Sequence, residues 1–159
     1  MQTTLTLAIT ATALIGPGAG MSLDQAIKQL PARHKIGIAA FSAYSRAGDH
    51  GNGLWLYPAV GIGALICSIV AAISGNISAS PPAAIIPLDT SAGLAILHSL
   101  ATARAAPLNL SQKRYPLTDE TNLARIFDGF ARWNALRAVL QVLNFVAGLW
   151  AIVVLAKWS

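Results

Sequence analysis

The chain has 159 residues, of which 55% are apolar and 11% charged, and its formal net charge is +5. Soluble domains carry about 25% charged residues, so this composition leaves too little polar surface for a soluble protein of one domain. The basic residues sit at the ends of apolar segments and do not interleave with aromatics, which argues against nucleic acid as a partner.

A membrane-spanning helix needs about 20 mainly apolar residues. Four segments qualify, at about residues 3–20, 53–74, 82–103 and 138–156. The expected fold is all-α: one membrane domain over residues 1–159, a four-transmembrane-helix bundle. It carries a short amphipathic interfacial helix in its first loop and a long last helix.

The first segment is rich in Thr, Ala and Gly and is expected to end at Gly16-Pro17-Gly18. No Lys or Arg precedes it, whereas a cleaved signal peptide has a basic start. The loop of residues 21–52 carries Lys28, Arg33, Lys35 and Arg46, and the loop of residues 104–132 carries Arg104, Lys113, Arg114, Arg125 and Arg132. The connection at 75–81 has no basic residue. Four spans put both basic loops in the cytoplasm and both termini outside, as the positive-inside rule requires. The pattern suits a bacterial inner membrane.

Ser22 and Gln25 have the spacing of a capping box, and Leu23, Ala26, Ile27 and Leu30 follow on one face. That predicts the interfacial helix, closed by Pro31. A further helix is expected at about residues 36–47, ended by the Gly-rich run at 48–53. The loop of residues 104–132 contains Pro107 and Pro116, and then Thr118-Asp119-Glu120 reads as a helix start with acids at the positive dipole end. A helix from there to Lys157 would be about 58 Å long, well beyond a bilayer core of about 30 Å. Its first part, with Leu123, Ile126, Phe127 and Phe130, is therefore expected in the cytoplasm or along the headgroups.

Lipid supplies no hydrophobic drive between helices, so close packing of small residues matters more. Small residues recur every four positions in the first three segments: Thr4, Ala8 and Thr12; Gly63, Cys67, Ala71 and Gly75; Pro87, Ser91 and Ala95. A tight antiparallel hairpin of the second and third segments is expected from this.

The polar residues of the last segment, Asn134, Arg137, Gln141 and Asn144, fall within an arc of about 80°. Such a stripe should face the bundle interior, either as interhelical hydrogen bonds or as a ligand site. On the third segment Ser91, His98 and Thr102 share one face. The site expected from these residues is a cavity open to the cytoplasm. Ligand contacts would come from Tyr57, Asn134, Gln141, Asn144 and Asp49. His98 would move a proton and Arg137 would stabilise an oxyanion, making these two the candidate catalytic residues. Asp49 has a plainer alternative role as a turn and helix cap, and Asp89 is open between a cap of the third helix near its outer end and a slightly buried functional acid.

His34, His50 and His98 show none of the familiar metal-ligand spacings, so no metal, haem or other cofactor is expected. Cys67 lies mid-way along an apolar run, where packing explains it. The expected partners are the lipid bilayer and a small aromatic ligand. The alternative is an accessory protein whose small-residue faces dock a second copy or another membrane complex.

Three stretches carry a resemblance: Leu30-Pro31-Ala32-Arg33-His34-Lys35-Ile36-Gly37 with Tyr44-Ser45-Arg46-Ala47-Gly48-Asp49, His98-Ser99 through Ala106-Pro107, and Phe130-Ala131-Arg132-Trp133-Asn134-Ala135-Leu136-Arg137. They resemble small bacterial four-helix membrane proteins, the broad family that includes anthrone-oxygenase-like proteins. The resemblance implies a four-helix membrane fold. For a few members it implies cofactor-independent oxidation of polycyclic aromatic anthrones. It assigns no catalytic role to Trp133 or Arg137.

Overall fold

The computed structural model describes residues 1–78 and 80–158, which are helical apart from short turns, with no strand among them. The helices are α1 (Gln2–Asp24), α2 (Leu30–Ile36), α3 (Ile38–Gly48), α4 (Gly53–Ile77), α5 (Pro82–Ser111) and α6 (Glu120–Ala156). Four helical rods are long and apolar enough to cross a membrane: Gln2–Ile36, Gly53–Ile77, Pro82–Arg114 and Glu120–Ala156. The chain is thus an integral membrane protein with the architecture of a four-helix bundle.

The first rod corrects two expectations. Pro17 lies inside α1 and does not end it. The rod then runs through a π turn, Gln25–Gln29, directly into α2, so there is no separate interfacial helix. Ser22 is a buried residue of α1 and makes no capping box. The rod stops at Gly37, whose φ of 86° is the left-handed conformation that glycine adopts without strain. The Gly-rich run after α3 does break the helix, at Gly48.

The remaining spans also outrun their expected limits. Pro107 sits inside α5, which continues to Ser111. Asp89 is not a cap, because α5 starts at Pro82; its carboxylate instead accepts a hydrogen bond from Asn76 Nδ2 at 3.0 Å. The Asp119 side chain caps α6 as its sequence predicts, accepting from the Asn122 backbone N–H at 3.2 Å.

The rods pack as a ring in the order α1, α4, α5, α6, with α5 lying most extensively on α6 and α1 touching both α4 and α6. The basic connections lie at one end, called here the basic end. At the opposite end the core is nearly all alanine: Ala8, Ala71, Ala72, Ala84 and Ala151 surround Leu88 and Leu155. Small residues let the backbones approach, and a Cβ on Gly75 would stand 2.6 Å from Leu88 Cδ1. The expected α4–α5 hairpin is close there, although this pair is the most sparsely packed of the four neighbouring pairs in the ring.

The basic end has its own core, where Leu30, Phe41, Ala105, Phe127 and Phe130 cluster. Phe41 of α3 meets Phe127 edge-on, with ring centroids 4.9 Å apart. The apolar face of early α6 is therefore covered by α2 and α3.

Candidate functional site

Between these two cores lies a cavity of about 720 Å³, walled by the end of α1, the first half of α4, the second half of α5 and the middle of α6. Both helices of the most sparsely packed neighbouring pair, α4 and α5, contribute to its wall.

The polar stripe of α6 faces inward, and its four members divide into two roles. Arg137 and Gln141 line the cavity, whereas Asn134 and Asn144 do not. Asn134 is fully buried behind Arg137 and accepts from Arg137 Nη1 at 3.3 Å. Asn144 accepts from Ser91 Oγ at 2.6 Å, an interhelical bond that joins α6 to α5. These two asparagines, expected as ligand contacts, are therefore not among the residues that line the cavity. The Asn144 carboxamide points at a neighbouring helix, which sequence periodicity alone does not distinguish from a cavity, and Asn134 Nδ2 is buried without a hydrogen-bond partner.

Gln141 is held from α1, since Ser22 Oγ donates to its Oε1 at 2.7 Å. Gly18, one turn before Ser22, leaves room for it; a Cβ there would stand 2.3 Å from Gln141 Nε2.

His98 and Arg137 both line the cavity, as expected. His98 is only 8% exposed, yet its Nε2 has no hydrogen-bond partner. Arg137 Nε is likewise buried and unpartnered, and no carboxylate forms an ion pair with Arg137 among the described residues. Unpaired polar atoms inside a protein are costly, so their presence in the lining of one cavity makes it the candidate site.

Tyr57 and Asp49 also line the cavity and bear electrostatically on Arg137 without touching it. Asp49 is already well satisfied. It accepts from Ser45 Oγ at 2.8 Å, from Asn109 Nδ2 at 3.0 Å and from the Tyr57 hydroxyl at 3.3 Å. Asn52, not Asp49, occupies the cap position of α4.

This belongs to a network that the sequence reading missed. Gln112 is fully buried; its Nε2 donates to Asn109 Oδ1 at 2.6 Å and to Ser45 Oγ at 3.0 Å, and its Oε1 accepts from Ser42 Oγ at 2.9 Å. Arg46 Nη2 donates to the carbonyls of Gln112 and Tyr115, at 2.5 and 2.7 Å. The signal was present in α3 and its C-cap: Ser42, Ser45 and Asp49 recur at helical spacing. His50 joins the network at the cavity wall, with Nε2 3.2 Å from the Asn109 carbonyl and a buried, unpartnered Nδ1. Burial, followed by the positive charge of Lys113, lowers the His50 pKa below the usual imidazole value.

Among the described residues, no three His, Cys, Asp or Glu side chains are grouped to hold a metal ion. His34 lines a separate groove beside Arg33, Glu120 and Asp128. Comparison of the chain with protein families, with curated proteins and with solved structures returns no match.

Proposed function

We propose that this membrane protein binds a small apolar molecule in the cavity by an acidic oxygen, such as that of a phenol, enol or carboxylic acid. One observation carries the reading: Arg137, with a buried, unpartnered Nε and no carboxylate ion pair among the described residues, and His98, with an unpartnered Nε2, line the same largely apolar cavity. Charge-assisted hydrogen bonds from Arg to an anionic oxygen are strong, and the buried setting strengthens them.

The chemistry open to this pair is proton transfer. His98 Nε2 takes the proton that a phenol or an enolisable aromatic ketone gives up, and Arg137 holds the oxygen on which the charge settles. An anthrone fits that description, in keeping with the resemblance to anthrone-oxygenase-like proteins. Under the same proposal the basic end faces the cytoplasm of a bacterial inner membrane.

Fluorescence titration of the purified protein with 1-naphthol tests the reading. Saturable binding is expected, weakened by Arg137→Gln by roughly tenfold or more, the worth of one hydrogen bond to a charged group. Absence of saturable binding overturns it. Co-purification of a partner membrane protein with no bound ligand would favour the accessory role instead.

A further inference from the structure

The cavity wall mixes polar and apolar groups. Towards the basic end Asp49, His50 and Asn109 line it together with Leu54 and Leu110; deeper in the bundle Val60, Ile62 and Leu65 do. It is also long. Its lining runs from Gly53 to Leu65 on α4 and from His98 to Leu110 on α5, about 18 Å on each helix at 1.5 Å per residue. A slot of that shape suits a chain better than a compact ring.

The slot opens sideways. Leu54 and Ile62 of α4 and Leu110 of α5 line it and are also exposed, at 43%, 56% and 44%. An apolar rim on membrane-spanning helices faces acyl chains, not water. Behind that rim stand Arg137 and His98 with their unpartnered nitrogens. Asp49 does not compete for Arg137, because Ser45, Asn109 and Tyr57 already bond its oxygens.

Resting on the binding role given above, we infer that the ligand is a single-chain acidic amphiphile taken from the bilayer through the gap between α4 and α5. Its acid group meets Arg137, and its chain runs past Gly61 and Leu65 and out between α4 and α5 into the surrounding lipid. The orientation is that of any amphiphile in a leaflet, so the molecule moves in without turning over.

Gly61 supplies an independent test, because a Cβ there meets no atom within 4 Å. A larger side chain at this position fills the slot and not another helix. The protein is placed in phosphatidylcholine nanodiscs and titrated with cis-parinaric acid, with its methyl ester and with 1-naphthol. Saturable binding of the acid but not the ester is expected, weakened by roughly tenfold or more in Arg137→Gln. Gly61→Leu should weaken the acid by a similar factor and leave 1-naphthol bound. Binding of 1-naphthol with no parinarate binding beyond that of empty nanodiscs overturns the amphiphile and leaves the cavity role standing. Failure of both probes overturns both. Parinarate binding that is indifferent to Gly61→Leu overturns the chain path.

Discussion

Gly18 of α1 and Gln141 of α6 compete for one volume: a Cβ on Gly18 would lie 2.3 Å from Gln141 Nε2. The amide cannot simply swing away, since Ser22 Oγ holds its other end at 2.7 Å. Gly18→Ala should therefore break the Ser22–Gln141 bond and destabilise the bundle by about 1–3 kcal/mol, the usual cost of overpacking. Thermal unfolding in mild detergent measures it. In the double variant with Gln141→Ala the cost should largely vanish; simple additivity of the two single effects would refute the coupling.

Glycines divide by what surrounds them. At Gly148 a Cβ would stand 2.4 Å from Thr12 Oγ1, and Thr12 is β-branched and bonded to the Ala8 carbonyl. Gly148→Ala should cost about 1–3 kcal/mol. At Gly93 a Cβ meets nothing within 4 Å. Gly93→Ala should be neutral or stabilise by up to about 1 kcal/mol, through the better helix propensity of alanine. Equal unfolding midpoints for the two variants would contradict the packing described.

Ser91 and Asn144 form a buried bond between α5 and α6 away from the cavity. Hydrogen bonds between membrane helices average roughly 0.6 kcal/mol, with a maximum near 1.7. Ser91→Ala should lose an amount in that range and leave ligand affinity unchanged. A loss of 1-naphthol binding in this variant would mean that Asn144 reaches the ligand after all.

His50 gives the fold a pH dependence of definite sign. Burial and Lys113 lower its pKa, with Arg46 acting the same way, while the Asn109 carbonyl and Asp49 oppose the shift. Between the lowered folded value and the ordinary value of about 6.5, the unfolded chain binds more protons than the folded one. The contribution is thus complete above about pH 6.5 and is lost as pH falls towards the folded value. The unfolding midpoint should drop on acidification from about pH 8 to about pH 5, and His50→Gln should flatten part of that slope. An identical slope in the variant would show that His50 does not titrate in this window.

What the sequence disclosed follows from how locally each feature is encoded. The spans are written in runs of apolar residues, and the α6 stripe in a spacing of three and four, so both could be read directly. The fate of each polar residue in the stripe depends on what a distant segment places opposite it. Asn144 meets Ser91 and Gln141 meets Ser22, and neither pairing has a local signature. Pro17 and Pro107 misled for another reason. Proline removes one backbone donor, but neighbouring helices can hold a membrane helix through the defect. Ending the third span at residue 103 and placing Pro107 in a loop hid Asn109 and Gln112, and with them the network around Asp49.

The π turn at Gln25–Gln29 acts as a vernier in the first rod. Ser22 and Leu30 both face inward although they are eight positions apart. Eight plain α-helical steps would leave them about 80° out of phase; the turn absorbs one residue and brings them to within about 20°. Chain length is therefore tolerated asymmetrically here. Losing one residue between Ser22 and Leu30 irons the rod into an ordinary α-helix with both side chains still inward. Gaining one swings Leu30 out of the Phe41–Phe127 cluster, uncoupling the basic-end core from the helix that holds Gln141 in place.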